Sequence, residues 1–226
     1  MAPGGRTSDL FDNLSASLPD GAARGERVAA GAVLLRGFAA AVAPDFLGEL
    51  DGIMASAPWR HMITPGGKAM SVAMTNCGRA GWVSDRRGYR YDRCDPETGR
   101  PWPPMPAVFA ALAEGAAAAA GFIGFTPDVC LINCYRPGAR MALHQDKDER
   151  NFTQPIVSVS LGLPAIFLFG GGKRADGARR IPLLHGDVIV WGGEARHTFH
   201  GIAPLAEGRD PRTGDCRFNL TFRRAL

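Results

Sequence analysis

Short apolar runs separated by turn residues fill the second half of the chain. The runs are rich in Val, Ile, Leu and Phe, as strands are, and no helical pattern lies between them. They cover residues 129–135, 140–145, 156–163, 165–169, 187–191, 197–202 and 217–222. Turn signals such as Pro137-Gly138 and Gly192-Gly193 divide them. We therefore predict a mainly β protein with flanking helices, in which residues 128–224 form a double-sheet jelly roll or barrel.

Two helices are predicted in the first half. After Pro44, apolar residues recur at three- and four-residue spacing, as Phe46, Leu47, Leu50, Ile53 and Met54. A second helix is predicted over about 106–120, and a short apolar strand over 31–38. We expect both helices to pack on the outside of one sheet. Residues 1–26, which have little periodicity, are expected to form a loose N-terminal arm, and residues 27–226 a single domain.

Residues 58–104 are predicted to be a long and largely irregular region with one strand over Met70–Thr75. Its centre, from Gly78 to Arg93, is dense with glycine, arginine and aromatic residues. A loop of this length is usually either a functional lid or disordered. The large aromatic side chains are too many for disorder; they are Trp82, Tyr89, Tyr91 and Trp102. We therefore predict a lid.

The composition of the 226 residues is that of an ordinary globular protein, with 46% hydrophobic and 21% charged residues. Its net charge of +4 suits an anionic partner such as nucleic acid, although a solvated basic surface fits equally well. Five cysteines without a C-x-x-C pair indicate reduced thiols and disfavour a cysteine metal site. We find no secretory signal and no apolar run long enough for a bilayer, so we expect a cytoplasmic protein without membrane contact.

A possible metal site begins at His144-Gln-Asp146. Side chains two residues apart on a strand point the same way, so this imidazole and carboxylate can bind one ion. A second, distant histidine would complete the two-histidine, one-carboxylate arrangement of non-haem iron(II) sites, which leaves coordination positions open. His197 and His200 are both candidates, and periodicity does not choose between them. A second H-x-D, His185-Gly-Asp187, lies at a turn close to both histidines, and we interpret it as structural.

Near the C-terminus polar and apolar residues alternate, which places the side chains of Arg217, Asn219, Thr221 and Arg223 on one face of a strand. Inward arginines are costly to bury unless they bind an anion. The guanidinium group pairs well with carboxylates, so a dicarboxylate is the natural ligand. The alternative is an edge strand with a solvated face. An anionic co-substrate that chelates the iron would explain both this strand and the open metal site.

Motifs spread along nearly the whole chain carry a family resemblance. They include Met70-Ser-Val-Ala-Met-Thr-Asn-Cys77, Leu131-Ile-Asn133, His144-Gln-Asp146-Lys-Asp148-Glu149, Phe199-His200-Gly-Ile and Arg217-Phe-Asn-Leu-Thr-Phe-Arg223. Together these motifs resemble the AlkB family of dioxygenases that repair alkylated nucleic acids. The resemblance implies a double-stranded β-helix (jelly-roll) core and a nucleotide-recognition lid over 58–104. It also implies iron(II) as cofactor, with 2-oxoglutarate and O2 as co-substrates.

The resemblance also implies roles for individual residues. By position, the iron ligands would be His144, Asp146 and His200. The residues that bind 2-oxoglutarate would be Asn133, Tyr135, Arg217, Asn219 and Arg223. The substrate-binding residues would be Trp82, Tyr89, Arg90, Tyr91, Asp148 and Arg174, with Trp82 stacking on the damaged base and Asp148 meeting its exocyclic amine. Two departures from the family pattern are Cys134, between two of these residues, and His197, an additional imidazole near the site.

The activity that the resemblance implies is oxidative demethylation of N1-methyladenine and N3-methylcytosine, releasing formaldehyde, succinate and CO2. The expected partner is alkylated single-stranded DNA, with duplex DNA or RNA also compatible, and the expected state is a monomer. One alternative keeps the cofactors but acts on a protein or small-molecule substrate. Another is a binding module with a structural metal. Stacking aromatics among arginines in the lid favour the nucleic-acid substrate.

Overall fold

The computed structural model describes residues 25–226. In that range, two helices are seen, α1 (Ala43–Ser56) and α2 (Ala107–Ala119). The strands are β1 (Gly25–Ala29), β2 (Ala32–Leu35), β3 (Ala73–Gly78), β4 (Gly81–Asp85), β5 (Gly88–Asp92), β6 (Val129–Tyr135), β7 (Met141–His144), β8 (Ile156–Gly162), β9 (Ala165–Phe169), β10 (Arg179–Leu183), β11 (Val188–Trp191), β12 (His200–Ile202) and β13 (Arg217–Arg223). Neither helix has the length and apolar character needed to cross a bilayer.

Two antiparallel sheets form the core. The larger sheet has the strand order β1-β2-β11-β8-β13-β6-β3, and the smaller has the order β10-β9-β12-β7. Apolar side chains from both sheets make one buried cluster, including Leu34 and Ile189 of the larger sheet and Phe167 and Ile202 of the smaller. Because neighbours in each sheet are often distant in sequence, the strands pass back and forth between the sheets. The predicted mainly β fold with a double-sheet jelly roll is confirmed.

Both helices cover the outer face of the larger sheet, as predicted. Phe46 of α1 lies against Phe109 of α2 with ring centroids 4.3 Å apart. Phe109 in turn meets the edge of Phe222 on β13, at 6.1 Å. The inner strand β13 therefore turns its even-numbered, apolar residues towards the helices. Its odd-numbered, polar residues point to the other face, between the two sheets.

Three parts of the architecture depart from the sequence predictions. The hairpin β4–β5 lies within the region expected to be irregular, and β3 begins at Ala73 rather than Met70. Strand β10 was not predicted because it opens with two arginines and contains Pro182, which an edge strand tolerates. The expected loose arm lies mostly outside the described residues, but Gly25 and Glu26 belong to β1.

Candidate metal centre and substrate lid

The register of two short strands brings two histidines together. His144 ends β7 and lies directly opposite His200 at the start of β12. Directly opposed residues in an antiparallel pair share a face, and the two imidazole rings lie 4.4 Å apart. His200 is buried, whereas His197 is exposed and its ring contacts Phe152 at 4.7 Å. Strand pairing therefore distinguishes the two histidines that sequence periodicity could not.

Asp146 completes the cluster. Its Oδ1 lies 3.5 Å from Nε2 of His144 and 3.9 Å from Nε2 of His200. One possible ligand atom from each residue falls within 4.8 Å of the other two. Asp146 stands two residues beyond His144, after the end of β7, and its carboxylate still reaches the side of the two histidines. Two imidazoles and one carboxylate on one side of a point are the donor set of non-haem iron(II) sites, so the three residues fit iron.

Hydrogen bonds fix the direction of each imidazole. Nδ1 of His144 lies 2.9 Å from the carbonyl oxygen of Ala142, and Nδ1 of His200 lies 3.0 Å from that of Thr198. When Nδ1 carries the proton and donates it to a carbonyl, Nε2 keeps a lone pair for a metal. Burial, together with the neighbouring His144, lowers the pKa of His200 to about 4. His200 is therefore a neutral imidazole at neutral pH.

Arg223 holds the second oxygen of Asp146. Its Nε and Nη2 donate to Oδ2 at 2.9 Å and 2.6 Å, which leaves Oδ1 towards the histidines. Burial raises the pKa of the Asp146 carboxyl, but the charge of Arg223 and the contact with His144 outweigh it and hold the pKa well below its usual range. Asp146 is thus ionised, as a metal ligand must be.

A small cavity of about 50 Å³ adjoins this cluster. Its polar lining comes from β6, β8 and β13, and includes Asn133, Tyr135, Ser158, Arg217, Asn219, Thr221 and Arg223, with His144 and His200 at one side. Tyr135 lies opposite Arg217 in the strand register, and Asn133 lies opposite Asn219. The alternation predicted for β13 therefore places its polar face in this cavity.

Arg217 is a buried cation that has no carboxylate partner in the described part of the chain. Its side chain is fully buried, and its Nη2 donates to Oγ of Ser160 at 2.9 Å. Its Nε and Nη1 have no hydrogen-bond partner among residues 25–226. Burial lowers the pKa of Arg217 below its ordinary value. Burial also raises the pKa of Tyr135 to about 12, against the opposing effect of Arg217, so its hydroxyl stays protonated. Unpaired guanidinium N–H groups beside a protonated hydroxyl fit a carboxylate ligand.

The hairpin β4–β5 carries an aromatic pair above the cluster. Trp82 lies opposite Tyr91 in the register, and Tyr89 is two residues away on the same face. The rings of Trp82 and Tyr89 stack at 5.6 Å with planes 12° apart, and Tyr89 is 48% exposed. Nε1 of Trp82 donates to Oδ2 of Asp148 at 2.8 Å, which joins this hairpin to the segment after β7. An open aromatic face therefore lies beside a carboxylate two residues from Asp146.

The other residues predicted to bind substrate have partners within the chain. Arg90 pairs with Asp85 on the same hairpin at 3.0 Å and 2.9 Å. The hydroxyl of Tyr91 donates to Oε1 of Glu149 at 2.8 Å. Arg174 lies at the mouth of the site, because its Nη1 donates to the carbonyl of Leu143 and its guanidinium lies 5.1 Å from the ring of Phe199. Arg174 stays exposed and available to a ligand.

Two buried residues next to the cluster were not predicted from the sequence. Glu149 and Arg196 form an ion pair at 3.0 Å with both side chains 2% exposed. They are 47 positions apart in the chain, and no spacing pattern connects them. The only signal was the place of Glu149 in the motif that also holds Asp146 and Asp148.

The second H-x-D has the structural role predicted for it. Oδ2 of Asp187 pairs with Arg36 at 2.8 Å, and its Oδ1 accepts from the backbone N–H of Gly37 at 2.9 Å. Nδ1 of His185 accepts from the backbone N–H of Gly162 at 3.0 Å. Cys134 is likewise absent from the cavity lining, because it points to the opposite face of β6 from its neighbours.

Comparison with known proteins assigns the family. Residues 31–223 match the family described as the 2OG-Fe(II) oxygenase superfamily. The chain is 57% identical to the alpha-ketoglutarate-dependent dioxygenase AlkB of Escherichia coli (strain K12) over 200 residues, which are 88% of this chain and 93% of that protein. It is 32% identical to the nucleic acid dioxygenase ALKBH1 of Mus musculus over 61% of this chain and 34% of that protein.

A solved structure supports the same assignment. The structure of OsALKBH1 superposes with a TM-score of 0.78 at 26% identity, covering 89% of this chain and all (100%) of that one. The fold, the His144-Asp146-His200 donor set and the sequence identity thus agree with the resemblance to the AlkB family that was seen in the sequence motifs. The chain belongs to the 2OG-Fe(II) oxygenase superfamily and, within it, to the AlkB family.

Proposed function

We propose that this protein oxidatively demethylates alkylated nucleobases, N1-methyladenine and N3-methylcytosine, in DNA and RNA. Iron(II) is the cofactor, 2-oxoglutarate and O2 are the co-substrates, and formaldehyde, succinate and CO2 are released with the restored base. The observation that carries the proposal is a cavity in which His144 and His200, which cluster with Asp146, stand beside the guanidinium of Arg217, unpaired among the described residues. The identity of 57% to the E. coli dioxygenase supports it.

His144 and His200 through Nε2, and Asp146 through Oδ1, are the proposed iron ligands. Iron(II) held there would supply the oxidation of a methyl C–H bond by O2, coupled to the oxidation of 2-oxoglutarate to succinate and CO2. The role of the chain is to turn both imidazoles inward through their Nδ1 contacts, and to keep Asp146 ionised. Three ligands on one side leave the opposite side open to co-substrates.

Arg217, Tyr135, Asn133 and Asn219 are proposed to bind the far carboxylate of 2-oxoglutarate, and Arg223 the end nearer the iron. Nε and Nη1 of Arg217 and Nη1 of Arg223 are donors without a partner among residues 25–226. A buried cation gains most from an anion that supplies charge and hydrogen bonds together. The dianion would therefore convert an unfavourable buried charge into a paired one.

The lid, over residues 58–104, is proposed to select the substrate above the core of residues 128–224. A methylated adenine or cytosine ring is cationic, which suits the aromatic face of Trp82 and Tyr89 and the carboxylate of Asp148. Such a base must leave the stack to reach a buried centre, and a single strand makes this least costly. We therefore propose single-stranded nucleic acid as the preferred form, with Arg90 and Arg174 near its backbone.

We further propose that the protein works as a monomer in the cytoplasm. Each of its five cysteines is a free thiol, and four of them are buried. This usage suits a reducing compartment.

The direct test is mass spectrometry of a single-stranded oligonucleotide with one N1-methyladenine, incubated with protein, iron(II), 2-oxoglutarate and O2. The oligonucleotide should lose the mass of one methylene group while formaldehyde accumulates. His200→Ala should abolish this reaction because an iron ligand is lost. His197→Ala should stay within about twofold of the unchanged protein, since its exposed ring lies outside the cluster.

Two outcomes would overturn the proposal. No mass change with methylated DNA or RNA, together with hydroxylation of a peptide or metabolite, would favour the alternative substrate class. Equal loss of activity in His197→Ala and His200→Ala would contradict the ligand assignment.

Thermal unfolding tests the role of Arg217. At a concentration about 100 times its Kd, 2-oxoglutarate should stabilise the iron-loaded protein by about 2.7 kcal/mol under anaerobic conditions. Arg217→Met should remove most of this effect because the buried carboxylate loses its cation. Arg212→Met, which removes a guanidinium already paired with Asp210 at the surface, serves as the control. An unchanged ligand effect in Arg217→Met would refute the assignment.

Two substitutions separate the functions of Trp82. Trp82→Ala removes the stacking ring and should weaken binding of the methylated oligonucleotide by about 1–3 kcal/mol. Trp82→Phe keeps a ring but loses the hydrogen bond to Asp148, and should retain most of the affinity. Fluorescence anisotropy with labelled oligonucleotide measures both. If the two variants bound equally weakly, the hydrogen bond and not the stacking would be the important contact.

A further inference from the structure

We propose that Glu149 is a positioning residue for the iron ligand Asp146, and that it connects this ligand to the lid through Tyr91. The inference rests on the proposed function of the site and adds to it a residue that binds neither metal nor substrate. It stands on the contacts of one buried carboxylate with three separate elements of the fold.

Both carboxylate oxygens of Glu149 have hydrogen-bond or ion-pair partners. Oε1 accepts the hydroxyl of Tyr91 at 2.8 Å and lies 3.2 Å from Nε of Arg223. Oε2 accepts from Nη2 of Arg196 at 3.0 Å. Tyr91 belongs to β5, Arg223 to β13, and Arg196 follows the turn before β12. With its side chain only 2% exposed, this carboxylate is stabilised by those partners rather than by water.

Two routes lead from Glu149 to Asp146. The first runs through the Arg223 side chain, which contacts Oε1 of Glu149 and Oδ2 of Asp146 with the same Nε–H edge. The second runs through Arg196, whose Nη2 bonds Glu149 while its Nη1 donates to the backbone carbonyl of Asp146 at 2.8 Å. One carboxylate therefore fixes both the side chain and the main chain of the ligand.

The same contacts determine which donor of Arg223 stays free. Nε and Nη2 are taken up by Asp146 and Glu149, whereas Nη1 has no partner and Arg223 lines the cavity. Without Glu149, the guanidinium could rotate about its contact with Asp146. Glu149 thus keeps one N–H group available to the carboxylate co-substrate.

Charge balance also requires Glu149. Asp146 and Glu149 are two anions, and Arg196 and Arg223 are two cations, all largely buried. The cavity also holds the cation Arg217, and iron(II) and 2-oxoglutarate add equal and opposite charges, so the loaded site keeps an excess of one positive charge. Removing the charge of Glu149 would leave a second surplus cation beside the place where another cation binds, which weakens metal binding.

Strand pairing in the lid places Tyr91 and Trp82 where both can bond to the segment after β7. Tyr91 lies directly opposite Trp82 in the β4–β5 register, so the two side chains share a face of the hairpin. Trp82 reaches Asp148, and Tyr91 reaches Glu149 one residue later. The hairpin that carries the proposed base platform is therefore bonded to the network that positions Asp146. Displacement of the hairpin would disturb the ligand.

Metal affinity without nucleic acid tests the inference separately from demethylation. Cobalt(II) is titrated into the full chain and followed by its visible absorption. Glu149→Gln should weaken binding by about 10-fold or more, as loss of partners that orient metal ligands does. Glu149→Asp, which keeps the charge, should recover part of the loss. Tyr91→Phe should weaken binding by about threefold, the equivalent of one hydrogen bond.

Asp187→Asn is the matched control. It also removes a buried carboxylate that pairs with an arginine, but its partners Arg36, Gly37 and Leu184 do not line the cavity. Its cobalt affinity should stay within about twofold of the unchanged protein, although its folding stability falls. Equal losses in Asp187→Asn and Glu149→Gln would reduce Glu149 to a structural residue and overturn the inference.

Tyr91→Phe keeps the inference testable if Glu149→Gln fails to fold. With methylated oligonucleotide, this variant should consume more 2-oxoglutarate for each formaldehyde released, because lid and ligand are no longer bonded. Unchanged cobalt affinity and an unchanged ratio of these products in folded Tyr91→Phe would refute the connection. The proposed function would survive that result if the unchanged protein demethylates and His200→Ala does not bind cobalt.

Discussion

The buried ion pair between Arg223 and Asp146 is the interaction on which the site depends. It ionises Asp146 despite burial, and it occupies Oδ2 so that Oδ1 faces the two histidines. It also joins the last strand of the larger sheet to the segment that follows β7 in the smaller one. A buried pair of this kind contributes little net stability by itself. Its value is geometric, because it holds a ligand of one sheet with a cation of the other.

The polar face of β13 explains why the candidate metal cluster and the candidate carboxylate-binding residues share one cavity. Arg217 and Arg223 lie six positions apart on the same face of one strand. Among residues 25–226, Arg223 has carboxylate partners and Arg217 has none. A chain selected for stability alone would not bury an unpaired guanidinium beside a metal-type donor set. The hairpin β4–β5 contacts Asp148 and Glu149, near Arg223 and at the opposite end of that strand from Arg217.

The fold and part of the candidate site could be predicted from the sequence, because they follow from patterns of neighbouring residues along the chain. The jelly roll followed from the spacing of apolar runs, and the inward arginines followed from alternation in β13. Strand β6 was predicted, but both of its faces are buried, so no alternation of polar and apolar residues marked the side chains that face the cavity. The roles of Asn133 and Tyr135 came from the family resemblance alone. From the sequence, only the family resemblance chose His200, whose physical basis is strand register, and the pairing of Glu149 with Arg196 depends on long-range packing. Neither can be read from spacing along the chain.

The most direct measurement is anomalous X-ray diffraction at the iron edge, from crystals grown anaerobically with iron(II) and 2-oxoglutarate. We expect one iron peak within bonding distance of Nε2 of His144, Nε2 of His200 and Oδ1 of Asp146. We also expect a 2-oxoglutarate carboxylate paired with Arg217. An iron peak at His185 and Asp187, or at His197, would refute the proposed metal site, and 2-oxoglutarate bound away from Arg217 would refute the proposed co-substrate site.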